Sequence, residues 1–371
     1  MHAEMLRRKK SRIIQMYFNR NKTGYDSHSV KLLNVIFTNK TTFGYTDSDI
    51  SKIIEKFWNS LITDLNSAED PGVFQFFIKF VVSFKSCEEL MDMFIGLNLI
   101  NIAETNVIEK CKTFEKLFRL VFKCEMNKTK GNMFSEFFRQ VAFQFIIKIR
   151  MFDMQTQHNI RHQLLDCQRL LCTNIKIPIS FELIDDIISF MSDTLKYEQI
   201  NKVSDATILK ETHARLSDLC HSLILHRHYF IIDRIPQIVV ILKELLQLIC
   251  WYKCDRGRDK QLDDEEVTIL TELSHKLENT TKALVKHTKD VKRVAPYLLL
   301  SVMNFMISKE NVSTMYSKIK MHFDYICYDL ISACDHRVKS FIMRNCNEAS
   351  KQQYETLMKE YNKYHKFKGK V

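Results

Sequence analysis

His158 and His162 stand four residues apart, the spacing that puts two imidazoles on one helix face where a pair can grip a divalent metal. The zinc-protease version of that pair needs a glutamate directly after the first histidine to act as base, and here Asn159 occupies the position. No third ligand is evident, so an ordinary histidine pair is expected. Cys220, His221, His226 and His228 form a second concentration of ligand and nucleophile types. His221 follows Cys220 directly, so on a helix the two side chains diverge, and no Cys–His couple with an orienting carboxylate can be assembled. Cys250 and Cys254 share a helix face, yet a closed zinc site needs a second pair at comparable spacing. The chain also lacks GxGxxG, GxxxxGK and GxSxG, the spacings that cradle phosphates or present a serine nucleophile. The expectation is therefore no catalytic, cofactor-binding or metal-ligating residue, no cofactor, and no enzymatic activity.

Two basic segments remain as candidate phosphate contacts. The first is LRRKKSR, from Leu6 to Arg12, with Arg7, Arg8, Lys9, Lys10 and Arg12. It reads as a nuclear-localisation patch or a phosphate-contacting arm, with a solvated helix end as the plain alternative. An arginine-rich mitochondrial presequence fits less well because Glu4 interrupts it. The second is the closing tail, where Lys363, Lys366, Lys368 and Lys370 interleave with Tyr364, His365 and Phe367. Lysines hold phosphates and aromatic rings stack on unpaired bases, so the tail suits RNA. Equally, Tyr361 and Tyr364 continue an apolar stripe and would then anchor the last helix.

These residues must be carried by helices. Only 7 Gly and 4 Pro occur in 371 residues, too few for a fold built on hairpins and Gly-rich loops. Apolar stripes at three- and four-residue steps run through Ile50, Ile53, Ile54, Phe57, Trp58, Leu61, Ile62 and Leu65, and through Val107, Ile108, Cys111, Phe114, Phe118, Val121 and Phe122. Two more follow Phe323, Ile326, Cys327, Leu330, Ile331 and Cys334, then Tyr354, Leu357, Met358, Tyr361 and Tyr364. Ser180, Ser204 and Asn347 offer side-chain oxygens ahead of apolar runs, as helix N-caps do. Many amphipathic helices in series, without sheet, point to an all-α fold, specifically an irregular HEAT- or armadillo-like solenoid, with a compact bundle as its rival.

The stretch KCDRGRDKQLDDEE, Lys253 to Glu266, is dense in charge and is expected to be an exposed, mobile linker. Further breaks are expected at 19–29, 38–46, 66–72 and 196–204. The 11 cysteines follow no disulfide or CxxC pattern, which suits a reducing compartment. No apolar run reaches the ~20 residues of a bilayer span, so no membrane partner is expected. A net charge of +11 favours an acidic partner, whether nucleic acid, a phospholipid surface or an acidic protein, with a basic protein that binds no nucleic acid directly as the plain alternative.

Two blocks carry a family resemblance. From His221 to Cys250 the chain reads HSLILHRHYFIIDRIPQIVVILKELLQLIC, a leucine-rich helix, a His-Arg pair, an Arg-x-Pro and a second long apolar helix. The closing block has Val-Ala-Pro-Tyr at Val294 to Tyr297, the helix from Phe323 to Cys334, and the ending YNKYHKFKGKV. Together they resemble the C-terminal domain of the unhealthy ribosome biogenesis protein 2 family, the nucleolar pre-ribosome-associated proteins. The resemblance covers 211–371, the linker excepted, and divides the chain into an N-terminal helical region, 1–210, and a family-like C-terminal domain, 211–371.

The resemblance implies a nucleolar protein in large-subunit precursors, supporting pre-rRNA processing beside another large helical scaffold and an RNA helicase. Family members are usually much longer, which implies that this chain corresponds to their C-terminal portion or to a short divergent member. Three functions therefore compete: a non-enzymatic scaffold of pre-ribosomal particles, a helical nuclear transport adaptor, and a direct RNA-binding protein.

Overall fold

The computed structural model describes residues 35–41, 45–55, 58, 74–100, 102–103, 106–201, 206–252, 261–308 and 316–365. The fold is all-α, and no strand occurs among the described residues. It divides into two compact units, one ending at Ile179 and one beginning at Ser180.

In the first unit the longer helices are α1 (Gln75–Phe84), α2 (Cys87–Gly96), α3 (Val107–Val121), α4 (Lys128–Lys148) and α5 (Met154–Thr173). Their starts are written in short polar residues. Ser86 and Glu89 form a capping box at α2, Asn127 accepts from the Lys130 amide at α4, and Asp153 accepts from the Thr156 amide at α5. Alternate helices pack side by side: α1 on α3 and α3 on α5 in one row, α2 on α4 in the other. Phenylalanine fills the space between rows. Phe94 meets Phe118 edge-on at 6.2 Å, and Phe114 stacks on Phe138 at 5.3 Å. Of the stripe expected along α3, Ile108 is exposed and the others are buried. The Lys85 side chain is almost wholly buried. Burial pulls its ammonium down, but hydrogen bonds to Glu55 (2.8 Å) and Glu89 (3.0 Å) more than offset that and leave it raised.

The second unit repeats the pattern with α6 (Phe181–Asn201), α7 (Ala206–His226), α8 (Ile235–Trp251), α9 (Asp264–Val285), α10 (Ala295–Ile307), α11 (Ser317–Ala333), α12 (Val338–Asn345) and α13 (Glu348–Glu360). One row runs α6, α8, α10, α13 and the other α7, α9, α11, with α8 and α9 also in contact. Pro236 and Pro296, from the Arg-x-Pro and Val-Ala-Pro-Tyr motifs, sit in the first turns of α8 and α10. There a proline lacks only an amide that would be unpaired anyway. Ser180 accepts from the Leu183 amide and Asn347 from the Ser350 amide, the caps expected at those positions.

Several boundaries differ from expectation. The charged stretch 253–266 does not stay open to its end, because Asp264 begins α9 behind a capping box of Asp263 and Glu266. Tyr252 donates its hydroxyl to Glu266 at 2.9 Å, and Tyr316 bonds the backbone of Leu262, so the following turn is pinned. Residues 253–260 lie outside the described residues, as do the breaks placed at 19–29 and 66–72 and the cap at Ser204. The break placed at 196–204 starts later than expected: α6 continues to Asn201, with Glu198 buried and accepting from Thr212 of α7, and α7 begins at Ala206. The last helix also packs differently. Tyr354 and Leu357 are buried, Tyr361 is only half-buried, and α13 lies against α10 more than against α11.

His213 ties α7 to α8. Its Nε2 lies 3.1 Å from the Leu245 carbonyl and its Nδ1 3.3 Å from the Ser217 hydroxyl, the pattern of a neutral ring donating to the carbonyl. Burial holds it down from an ordinary 6.5 to about 4. The unfolded chain therefore takes up this proton first on acidification, so stability is expected to fall as pH drops from 6.5 towards about 4. Urea unfolding across that window should show the slope, and His213→Gln should flatten it. An unflattened slope would assign the effect to other groups. A second prediction concerns Gly131 in α4, where a Cβ would lie 2.6 Å from Cδ of Pro178. Gly→Ala inside a helix ordinarily stabilises by about 1 kcal/mol. Here Gly131→Ala is expected to lower the melting temperature, and a raised one would contradict this packing.

Candidate functional site: an exposed aromatic and arginine surface

Few of the residues singled out by type converge on chemistry. Arg7, Arg8, Lys9, Lys10 and Arg12 lie outside the described residues, as do Lys366, Lys368, Lys370 and Cys254. His158 and His162 do face one another, ring centroids 6.0 Å apart, with His158 buried. Cys220 is buried in α7, where burial pushes its thiol up to about 12, far from a reactive thiolate. His221, beside it, is drawn down by burial. Among the described residues every cysteine is a free thiol.

His228 is the exception, and its partners come from far along the chain. Its Nε2 lies 3.1 Å from Asp290 Oδ2, and its ring stacks on His287 at 3.4 Å with 12° between planes. The three could present ligand atoms to a metal, all within 4.8 Å of one another. Parallel stacked imidazoles aim their lone pairs side by side, however, instead of converging. Burial, then the neighbouring His228, lowers His287.

At the tail, Lys363 is the described lysine. It sits in a π-helical turn, Tyr361–His365, with Nζ 4.6 Å over the Tyr364 ring. Tyr364 is 66% exposed, which corrects its placement on the buried stripe. The wider π turn shifts the register that Tyr354 and Leu357 set. Tyr328 of α11 donates to Glu360 at 2.6 Å and stacks on His365 at 4.2 Å, so the turn is latched to the helix beneath. Asp324, raised to about 6 by burial and by Glu360, stands nearby. The tail's base is thus lined with acid groups as well as lysine.

The most developed surface forms where α6 begins and the chain enters α8. Tyr229 and Phe230 occupy the single helical turn between α7 and α8, within the HRHYFIIDRIP segment. Phe181 at the first turn of α6 meets Phe230 at 5.0 Å and Tyr229 at 6.3 Å, and Tyr229 meets Phe230 edge-on at 5.6 Å. Arg234 lies over the Phe181 ring at 5.2 Å. Its Nε and Nη2 donate to the two Asp185 oxygens at 2.7 and 2.8 Å, a bidentate fork that fixes the guanidinium plane. Tyr229 is 72% exposed and Phe181 41%, with Ile232 exposed beside them. A shallow depression lined by Asp185, Ile188, Ser189, Asp233, Arg234 and Gln237 adjoins the rings. Tyrosine, phenylalanine and arginine are the residue types enriched where proteins bind proteins. Chemically the surface can stack and donate hydrogen bonds.

The sequence model of the Urb2/Npa2 family matches residues 159–370, more than half of the chain and all of this surface. The chain belongs to the Urb2/Npa2 family. That family is linked to ribosome biogenesis. No curated protein and no solved structure matches the chain. Among the described residues, no helix is long and apolar enough to cross a membrane. Within this Urb2/Npa2 member, composition alone did not reveal the aromatic surface, because Phe181 and Tyr229 meet only after α7 has turned the chain back.

The Arg234 hydrogen bonds hold the Asp185 carboxyl below the ordinary carboxylate range. Arg234→Gln is expected to return Asp185 towards that range while leaving helicity unchanged. Carbon-detected NMR titration of the carboxylates checks this, and an Asp185 that does not move would mean the fork is not formed in solution.

Proposed function

We propose that the chain is a non-enzymatic helical scaffold in nucleolar pre-ribosomal particles, supporting pre-rRNA processing and large-subunit maturation. Membership of a family linked to ribosome biogenesis supports the setting. The observation that carries the docking mode is the Phe181–Tyr229–Phe230–Arg234 surface, in which Phe181 and Tyr229 are exposed and which lies within the family-matched region. On this reading its partners are pre-ribosomal proteins, including another large helical scaffold and an RNA helicase, with pre-rRNA touched directly or through them. The protein would then work in the nucleus, at the nucleolus. A direct RNA-binding reading rests on Lys363 over the exposed Tyr364 ring, where a base could stack. It is the weaker of the two, because Asp324 and Glu360 lie beside the same turn.

Affinity isolation of the full chain is expected to recover large-subunit precursor RNA together with assembly proteins. Tyr229→Ser, a change at an exposed ring, should leave the fold intact and deplete those proteins several-fold. Undiminished recovery would contradict docking through this surface. Recovery of cargo proteins without precursor RNA would favour a transport adaptor instead.

A further inference from the structure

A second histidine cluster lies within the row α7, α9, α11. His275 and Glu278 are three residues apart on α9, so they share one helix face. His322 reaches them from α11, the helix that packs most closely against α9. Its Nδ1 lies 2.6 Å from Glu278 Oε2, and His275 Nδ1 lies 3.8 Å from the same oxygen. The two rings are 5.1 Å apart and tilted by 53°, so their lone pairs converge near the carboxylate. This contrasts with the parallel His228–His287 stack, at 12°.

We infer that His275, Glu278 and His322 form a binding site for one first-row divalent transition metal of the zinc class, clipping α9 to α11. Two imidazoles and one carboxylate are a borderline-soft donor set, suited to zinc or cobalt and unsuited to calcium or magnesium. Their ligand atoms already lie within 4.8 Å of one another, and a bound ion would draw each to ~2.0–2.2 Å from itself. Burial is graded across the site: the His322 and Glu278 side chains are largely enclosed, whereas His275 is 58% exposed. The ion thus has rigid ligands beneath it and an entry path above.

The surroundings add to the case. Asn279 Nδ2 lies 3.1 Å from His275 Nε2, and the amide turned over would present its oxygen there and leave Nδ1 free to ligate. Three protein ligands leave a fourth position for water or for a donor from a bound partner.

Cobalt(II) titration of the full-length protein tests this, because bound cobalt absorbs visibly when its coordination is low. One equivalent should bind, zinc should displace it, and zinc should raise the melting temperature by linkage. His275→Ala removes a ligand without removing a buried side chain, so circular dichroism should be unchanged. Cobalt affinity should fall by more than the ~10–100-fold expected for loss of a mere outer-shell partner. His322→Gln should do the same. No cobalt uptake by the unmodified protein, or uptake undiminished in His275→Ala, would overturn the site. Uptake lost only in His287→Ala would overturn it too, by assigning the metal to the other histidine group.

Discussion

The second unit depends on the burial of one helix. α9 begins behind its own capping box and is flanked by α7, α8 and α11. Leu270, Leu273, Leu277 and Leu284 are almost fully buried along it. Each such leucine contributes on the order of 1.5–3 kcal/mol by leaving water, while a single ion pair at an exposed edge contributes about 0–1 kcal/mol. Apolar burial therefore sets where the rows lie, and the polar pairs follow. Lys276 reaches Asp218 at 2.8 Å and Lys210 reaches Glu272 at 2.8 Å because the leucines have already set α9 against α7. The same packing brings His322 against the exposed shoulder of α9, and with it the proposed metal clip.

Row packing has a consequence for binding. A helix whose neighbours in the row cover one face has an outer face left for charge or for partners. Along the described residues outer faces carry lysine–carboxylate pairs such as Lys210–Glu272 and Lys276–Asp218, and scattered exposed apolar side chains such as Phe143 and Ile147. The Phe181–Tyr229–Phe230–Arg234 surface instead gathers three rings and a cation in one place. Its rings lie at helix starts, and among the described residues Phe181 and Tyr229 stay exposed while Phe230 is half-buried. The fork from Arg234 to Asp185 holds the cation over Phe181. The surface is therefore ordered before any partner arrives, which lowers the entropy lost on docking.

Helical architecture was legible from the sequence because periodicity and Gly/Pro scarcity are local properties. The stripe at Phe323, Ile326, Cys327, Leu330 and Ile331 is buried as its spacing implies, and only Cys334 at its end is half-buried. Caps at Ser180 and Asn347 were equally readable. Position within a stripe was less so: Ile108 keeps the spacing yet faces water, because burial depends on which neighbour arrives. The start of α9 was missed because Asp263, Asp264, Glu265 and Glu266 look like linker charge, although acids in a first turn also favour a helix N-terminus. The sites were least legible. HKLE at His275 to Glu278 shows two ligand types at helical spacing, but His322 lies 44 residues beyond Glu278 and only the fold brings it there.

Whether attachment to pre-ribosomal particles is protein-led, as proposed, is decided most directly by retention of the full chain across a salt series. Attachment through phosphates weakens with a slope of about −0.7 per neutralised phosphate on single strands. The Phe181–Tyr229–Phe230–Arg234 surface relies on apolar contact and should hold with a shallow slope. Replacing Lys363, Lys366, Lys368 and Lys370 by Gln should then change that slope little. Steep loss with salt, or complete release of the four-glutamine variant while its circular dichroism stays intact, would contradict protein-led docking.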